Sequence, residues 1–201
     1  MSQDNVQKEM PQVPLAAAYD EYASWTDSVA KYPPTAEPFY LALGIADELG
    51  EWVEEVTKYR RKVQQSQDLS SRSSHITAQI KELGDTFWYI ARYSTKVMGV
   101  PFSELIRDAN HSHGDGRDLH TCVGTICGVE KKRIRDGELW DSAKLTEKNA
   151  AAYNALRNLV RILMLCCIDI NVPLVAVLGM NRSKLEKRLA EGSIRGDGDN
   201  R

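Results

Sequence analysis

Apolar residues recur at three- and four-residue intervals along most of this chain, and no segment alternates at period two. The pattern predicts an all-α protein. A first helix is expected over 15–31, stopped by Pro33-Pro34. A long second helix is expected over 36–64, with Leu41, Ile45, Leu49, Trp52, Val53 and Val56 on its stripe. The Ser- and Gln-rich stretch 64–74 reads as a loop. A third helix over 75–98 lines up Ile76, Ile80, Leu83, Phe87, Ile90, Ser94 and Val97, and Gly99-Val100-Pro101 ends it. A short helix starts at Phe102 and runs to Ala109, and further helices are expected over 119–135, 143–170 and 172–191.

The clearest internal break is 110–118, Asn-His-Ser-His-Gly-Asp-Gly-Arg-Asp. It divides the chain into a flexible N-terminus (1–14), a first helical unit (15–110) and a second helical unit (111–201). A degenerate repeat relates the two units. Leu83-Gly84-Asp85, Phe87, Ile90, Gly99-Val100-Pro101 and Asn110 are echoed by Leu156-Arg157-Asn158, Val160, Leu163, Asn171-Val172-Pro173 and Asn181. The second copy has Ala155 and Asn158 where the first has Glu82 and Asp85.

Composition narrows the class. Apolar residues at 42% and charged residues at 27% are ordinary for a soluble globular protein. A net charge of -2 argues against a nucleic-acid polymer as partner, though not against a nucleotide. The longest apolar run, Ile162 to Ile168, is far short of the roughly 20 residues that span a bilayer, so no membrane partner is expected. The first residues, with Asp4, Lys8 and Glu9, lack a signal-peptide core, and a cytoplasmic protein (host cytoplasm if phage-encoded) is expected. Cys122, Cys127, Cys166 and Cys167 show no zinc-site spacing and read as reduced thiols. His111, His113 and His120 sit in or beside a Gly-rich loop without a regular register, which reads as a loop rather than a metal site.

The candidate chemistry is acidic. Glu48-Leu49-Gly50-Glu51 and Glu82-Leu83-Gly84-Asp85 each set two carboxylates three residues apart, on one helix face. Glu48, Glu51 and Glu55 fall within about 60° of one another, beside the apolar stripe. Glu82 and Asp85 border their own stripe in the same way, with Tyr89 between them in projection. If the stripes pack together, four or five carboxylates meet at the core edge and repel unless cations neutralise them. Oxygen ligands favour Mg²⁺, or Mn²⁺, over zinc. Lys58, about two turns beyond Glu51, and the i,i+4 pair Lys184 and Arg188 near Asn181 are candidate phosphate-binding residues. Trp25, Trp52 and Trp88 could stack on a base, though core packing is the plainer role for each.

The run Leu43 to Glu55 and the run Glu82 to Ile90 resemble the two acidic motifs of the MazG-type nucleotide pyrophosphohydrolases. Tyr22 to Pro33 is similar to the helix that opens many members, and Asn181 to Arg188 with Gly192 to Arg201 resembles a C-terminal signature of a phage and bacterial subgroup. Residues 110–170 fall outside the compact form of that family. The resemblance implies a helical bundle and an Mg²⁺-dependent hydrolase cutting a nucleoside triphosphate to monophosphate and pyrophosphate. It implies metal ligation by Glu48, Glu51, Glu82 and Asp85, with Glu51 or Glu48 acting on the attacking water. It implies phosphate contacts from Asn181, Lys184 and Arg188, and assembly as a homodimer or higher homo-oligomer. Tyr89 is placed to reach the sugar or a phosphate, and Arg195 in the Gly- and Asp-rich tail to reach a phosphate. A dimeric-type dUTPase or dCTPase shares the paired acids, and a non-catalytic helical module binding nucleotide or protein is the rival of another class.

Overall fold

The computed structural model describes residues 15–66 and 72–193, apart from the side chains of 64–66. Seven helices and no strand occur among the described residues. They are α1 (Leu15–Val29), α2 (Glu37–Ser66), α3 (Arg72–Arg92), α4 (Phe102–His111), α5 (Leu119–Asp136), α6 (Ser142–Asp169) and α7 (Leu174–Ala190). Helix starts follow local chemistry. Asp118 caps α5 by accepting the Thr121 N–H at 2.7 Å, and Asp141 caps α6 by accepting the Lys144 N–H at 2.7 Å. Pro101 and Pro173, both in extended conformation, precede α4 and α7, where a missing N–H is harmless.

The apolar stripes pack as the periodicity requires. Leu41, Ile45, Leu49 and Trp52 of α2 meet Ile80, Leu83, Phe87 and Ile90 of α3 in one core with Leu156, Leu159 and Leu163 of α6. Helices α2 and α3 form one antiparallel hairpin and α5 and α6 pair likewise, while α2 also lies on α5. The short helices cross over: α7 packs on α3, α4 packs on α6, and α1 touches both α4 and α7. The helices of 15–110 and those of 111–193 therefore interlock across the boundary. Exchanging α2 with α5, α3 with α6 and α4 with α7 maps most of these packings onto one another.

The third helix departs from the expected continuous run over 75–98. It widens into a π turn at Tyr93–Val97, where the Met98 N–H reaches the Tyr93 carbonyl at 3.1 Å. The turn accounts for an uneven spacing in the repeat. Gly99 and Asn171 both adopt the left-handed conformation, at φ 68° and 56°. The Val100 N–H then bonds the Ser94 carbonyl at 3.0 Å, and the Val172 N–H bonds the Cys167 carbonyl at 2.9 Å, one residue closer along the chain. The wide turn absorbs the one-residue difference between these two helix ends. Burial also shifts one correspondence. Phe102, Leu105, Ile106 and Ala109 are the buried positions of α4, and Leu174, Val177, Leu178 and Asn181 those of the first half of α7. Ala109, not Asn110, is thus the counterpart of Asn181.

Averaged over a window, α6 is long and apolar enough to cross a membrane, although it contains no long unbroken apolar run. Its buried face, which includes Ala152, Ala155, Leu156, Leu159 and Leu163, is a wall of the core. The four cysteines are free thiols.

Candidate functional site

The α2–α3 hairpin brings the two acidic motifs level. In an antiparallel pair, a residue one turn earlier on one helix meets a residue one turn later on the other. Glu48, Glu51 and Glu82 accordingly converge, with one carboxylate oxygen from each lying within 4.8 Å of the others. Glu82 is buried, Glu48 half-buried and Glu51 exposed, so the cluster opens on the Glu51 side. Burial, together with the charges of Asp85, Glu51 and Glu82, pushes the Glu48 carboxyl up to about 8, and Lys184 only partly offsets this. Four acids in one place would be costly to ionise together unless a cation shares the site.

Asp85 faces the same cluster but is engaged by α7. Its carboxylate accepts the Asn181 Nδ2–H at 2.6 Å on one oxygen and the Lys184 ammonium on the other. Asn181 is itself aimed by α1, because the Tyr22 hydroxyl donates to its Oδ1 at 2.7 Å. Burial and the Asp85 charge hold the Tyr22 phenol well above its ordinary pKa, so it remains a donor. Gly84 makes this contact possible. A Cβ there would stand 2.8 Å from the Asn181 Cβ, inside any real contact. Gly50 occupies the same place in the first motif but has nothing within 4 Å, so the matched glycines have different surroundings.

Other candidates part company with the cluster. Glu55, expected among the acids, bonds Lys58 at 2.7 Å, and Lys58 also pairs with Glu54 at 3.0 Å. This i,i+3 and i,i+4 pairing within one helix is local and exposed. It holds Lys58 with its own helix neighbours rather than beside Glu51. Arg188 is buried on α7 and lines a cavity of about 680 Å³ with Lys81, Lys184, Lys187, Asn181 and Glu191. That cavity is lined by the basic end of α7, and Asn181 and Lys184 connect it to Asp85. Arg195 and the rest of 194–201 lie outside the described residues. Trp52 and Trp88 are buried, and Trp25 lies between Tyr22 and Arg182, which puts all three indoles in packing roles. The histidines around 111–120 do not assemble. Among the described residues, the group of His, Cys, Asp or Glu close enough to share an ion is Glu48, Glu51 and Glu82.

Tyr89 stands one turn beyond Asp85, over Gly44, which is one turn before Glu48. A Cβ on Gly44 would fall 2.1 Å from the Tyr89 ring. Burial, the Tyr40 hydroxyl and the charges of Glu48 and Asp85 all raise the Tyr89 pKa, which ties this phenol to the acidic site. Two further groups escaped the sequence reading. Tyr40 is exposed on α2 with its hydroxyl 3.3 Å from that of Tyr89. Arg92 is a buried cation that donates to Tyr32, Thr26, Asp27 and Glu37, joining α1 and the start of α2 to α3. Both sat at positions that periodicity assigns to surface or core edge, without a motif to mark them.

No family model matches this chain, and neither a curated protein nor a solved structure does.

Proposed function

We propose that the chain is an Mg²⁺-dependent nucleoside triphosphate pyrophosphohydrolase of the MazG type. The observation that carries this reading is a convergence from three distant places. Glu48 and Glu51, Glu82, and the Asn181–Lys184 pair on Asp85 come together at one site. An acidic cluster alone suits many roles. An acidic cluster with lysine and arginine arriving along one edge suits a phosphate chain bridged by a divalent cation.

The donor set fits Mg²⁺ or Mn²⁺. It is all carboxylate oxygen, and burial together with the neighbouring acids raises the pKa of the Glu48 carboxyl, a cost that a hard cation would relieve. Glu48, Glu51 and Glu82 would hold the ion, with Asp85 beside them. When bound, it lowers the pKa of a water and screens phosphate charge. Lys184 and Arg188 bind oxygens of the leaving pyrophosphate. Glu51, the most exposed acid, accepts the proton of the attacking water, and Glu48 orients that water from the other side. The new bond joins the water oxygen to the α-phosphorus, and the bond from that phosphorus to the α,β-bridging oxygen breaks.

A turnover screen of all ribo- and deoxynucleoside triphosphates with Mg²⁺, its products resolved by chromatography, tests the reading. At least one should give monophosphate and pyrophosphate, and preference for a pyrimidine deoxynucleotide would point to the dUTPase- or dCTPase-like variant. Failure to turn over any of them would leave a non-catalytic binding module.

The second unit reads as a degenerate copy of the first. The exchange of α4 and α7 between the hairpins, the paired left-handed residues and the matched burial support duplication. The resemblance alone implies a homo-oligomer. In this chain, Asn181 and Lys184 already come to the site from the second unit, so that unit occupies the position of a partner. We expect full activity from whatever species sedimentation velocity finds at micromolar concentration, a monomer included. Activity that appears only as monomers associate would contradict this.

A further inference from the structure

An aromatic ladder extends from the acidic cluster toward the start of α2. The Tyr32 and Tyr40 rings stack at a centroid distance of 4.4 Å and an interplanar angle of 29°. Tyr40 and Tyr89 follow at 5.8 Å, and Trp88 meets Tyr89 edge-on at 4.9 Å. Tyr32 is a fixed base for the stack. Its hydroxyl donates to Glu37 at 2.7 Å and accepts from Arg92 Nε at 2.5 Å, and the Arg92 guanidinium lies 5.2 Å from its ring centroid. Tyr40 is therefore held on one side while remaining 38% exposed, beside the exposed side chains of Phe39 and Leu43.

The ladder shares the face that carries the acids. On α2, Tyr40, Gly44, Glu48 and Glu51 fall within about 80° of one another, and Tyr40 is about 12 Å along the axis from Glu48. Tyr89 bridges this interval. Gly44 lets its ring settle against α2, and its surroundings include both the Tyr40 hydroxyl and the Glu48 and Asp85 charges. The site thus sets side by side an exposed aromatic ring, a phenol, carboxylates, and Lys184 on Asp85. That set matches the base, sugar and phosphates of a nucleotide.

We propose that Tyr40 is the stacking platform for the nucleobase of the substrate, backed by its ring stack on Tyr32 and flanked by the Tyr89 ring. Tyr40 then sets affinity for the base and contributes nothing to the grip on phosphates. The inference rests on the nucleotide-hydrolase reading, and its test separates the two.

The experiment measures binding to the full chain by calorimetry with Ca²⁺ in place of Mg²⁺. The two probes are the nucleoside triphosphate the parent binds most tightly and inorganic tripolyphosphate, which has no base. Tyr40→Leu should weaken nucleotide binding about tenfold, within the range of base–aromatic stacking, and leave tripolyphosphate within twofold. Tyr40→Trp and Tyr40→Phe, which keep a ring, should stay within threefold of the parent for both probes. Unchanged nucleotide affinity in Tyr40→Leu would overturn the platform and leave the hydrolase reading standing. Equal losses for both probes would show that Tyr40 acts by holding the acidic site in shape, which also overturns it. If the parent binds tripolyphosphate but no nucleoside triphosphate, or binds neither, the nucleotide reading fails and the platform with it.

Discussion

Glu51→Gln should leave a folded bundle that has lost at least about a hundredfold in turnover, the usual scale for removing a positioned acid–base group. Asp85→Asn should do the same from the other helix. Both changes keep the side-chain volume and remove one negative charge. Glu51 is exposed, and its substitution opens no cavity. Asp85→Asn keeps an oxygen to accept the Asn181 amide but turns an NH2 donor toward the Lys184 ammonium, which loses this acceptor, so α7 loosens at its basic edge. Retained helicity in both variants, and an unchanged melting temperature in Glu51→Gln, alongside lost kcat would place both residues in the chemistry. Activity within threefold of the parent for either variant would remove it from the site.

Gly84→Ala should force α7 away from α3 and destabilise the chain. The added Cβ meets the Asn181 Cβ at 2.8 Å, and neither atom can swing away because both are fixed to helix backbone. Helix α7 must move off α3, at a cost of about 1–3 kcal/mol for an overpacked contact. Asn181 would then leave Asp85, and Lys184 would lose its place beside the acids. A depressed melting temperature with a disproportionate fall in kcat/KM is the expected result. Gly50→Ala supplies the control, since nothing lies within 4 Å of that position, and its stability should stay at or above the parent's. Equal behaviour of the two alanine variants would mean that α7 does not need the close approach.

Much of this was legible in the sequence because it depends on local spacing. Helix periodicity gave the seven helices to within three residues at most ends, since capping aspartates, prolines and glycines mark them. The i,i+3 carboxylates showed which faces carry Glu48, Glu51, Glu82 and Asp85. Periodicity counts residues per turn and cannot see a single added residue, so the π turn at Tyr93–Val97 was missed. Glu55 and Lys58 pair with each other within one helix, which a count of helix faces does not reveal. The matched Leu-Gly pairs suggested equal roles for Gly50 and Gly84, yet only Gly84 has another helix upon it, a fact of tertiary packing. Tyr40 carries no motif at all. Its position becomes informative only once Tyr89 crosses Gly44 and the α2–α3 hairpin aligns the ladder with the acids.

Hydrolysis in ¹⁸O-labelled water tests the central claim most directly. With Mg²⁺ and a nucleoside triphosphate that the chain turns over, mass spectrometry of the products reports which phosphorus the water attacked. The account predicts one labelled oxygen in the nucleoside monophosphate and none in the pyrophosphate. Nucleoside diphosphate with labelled inorganic phosphate, or label carried by the pyrophosphate, would contradict it.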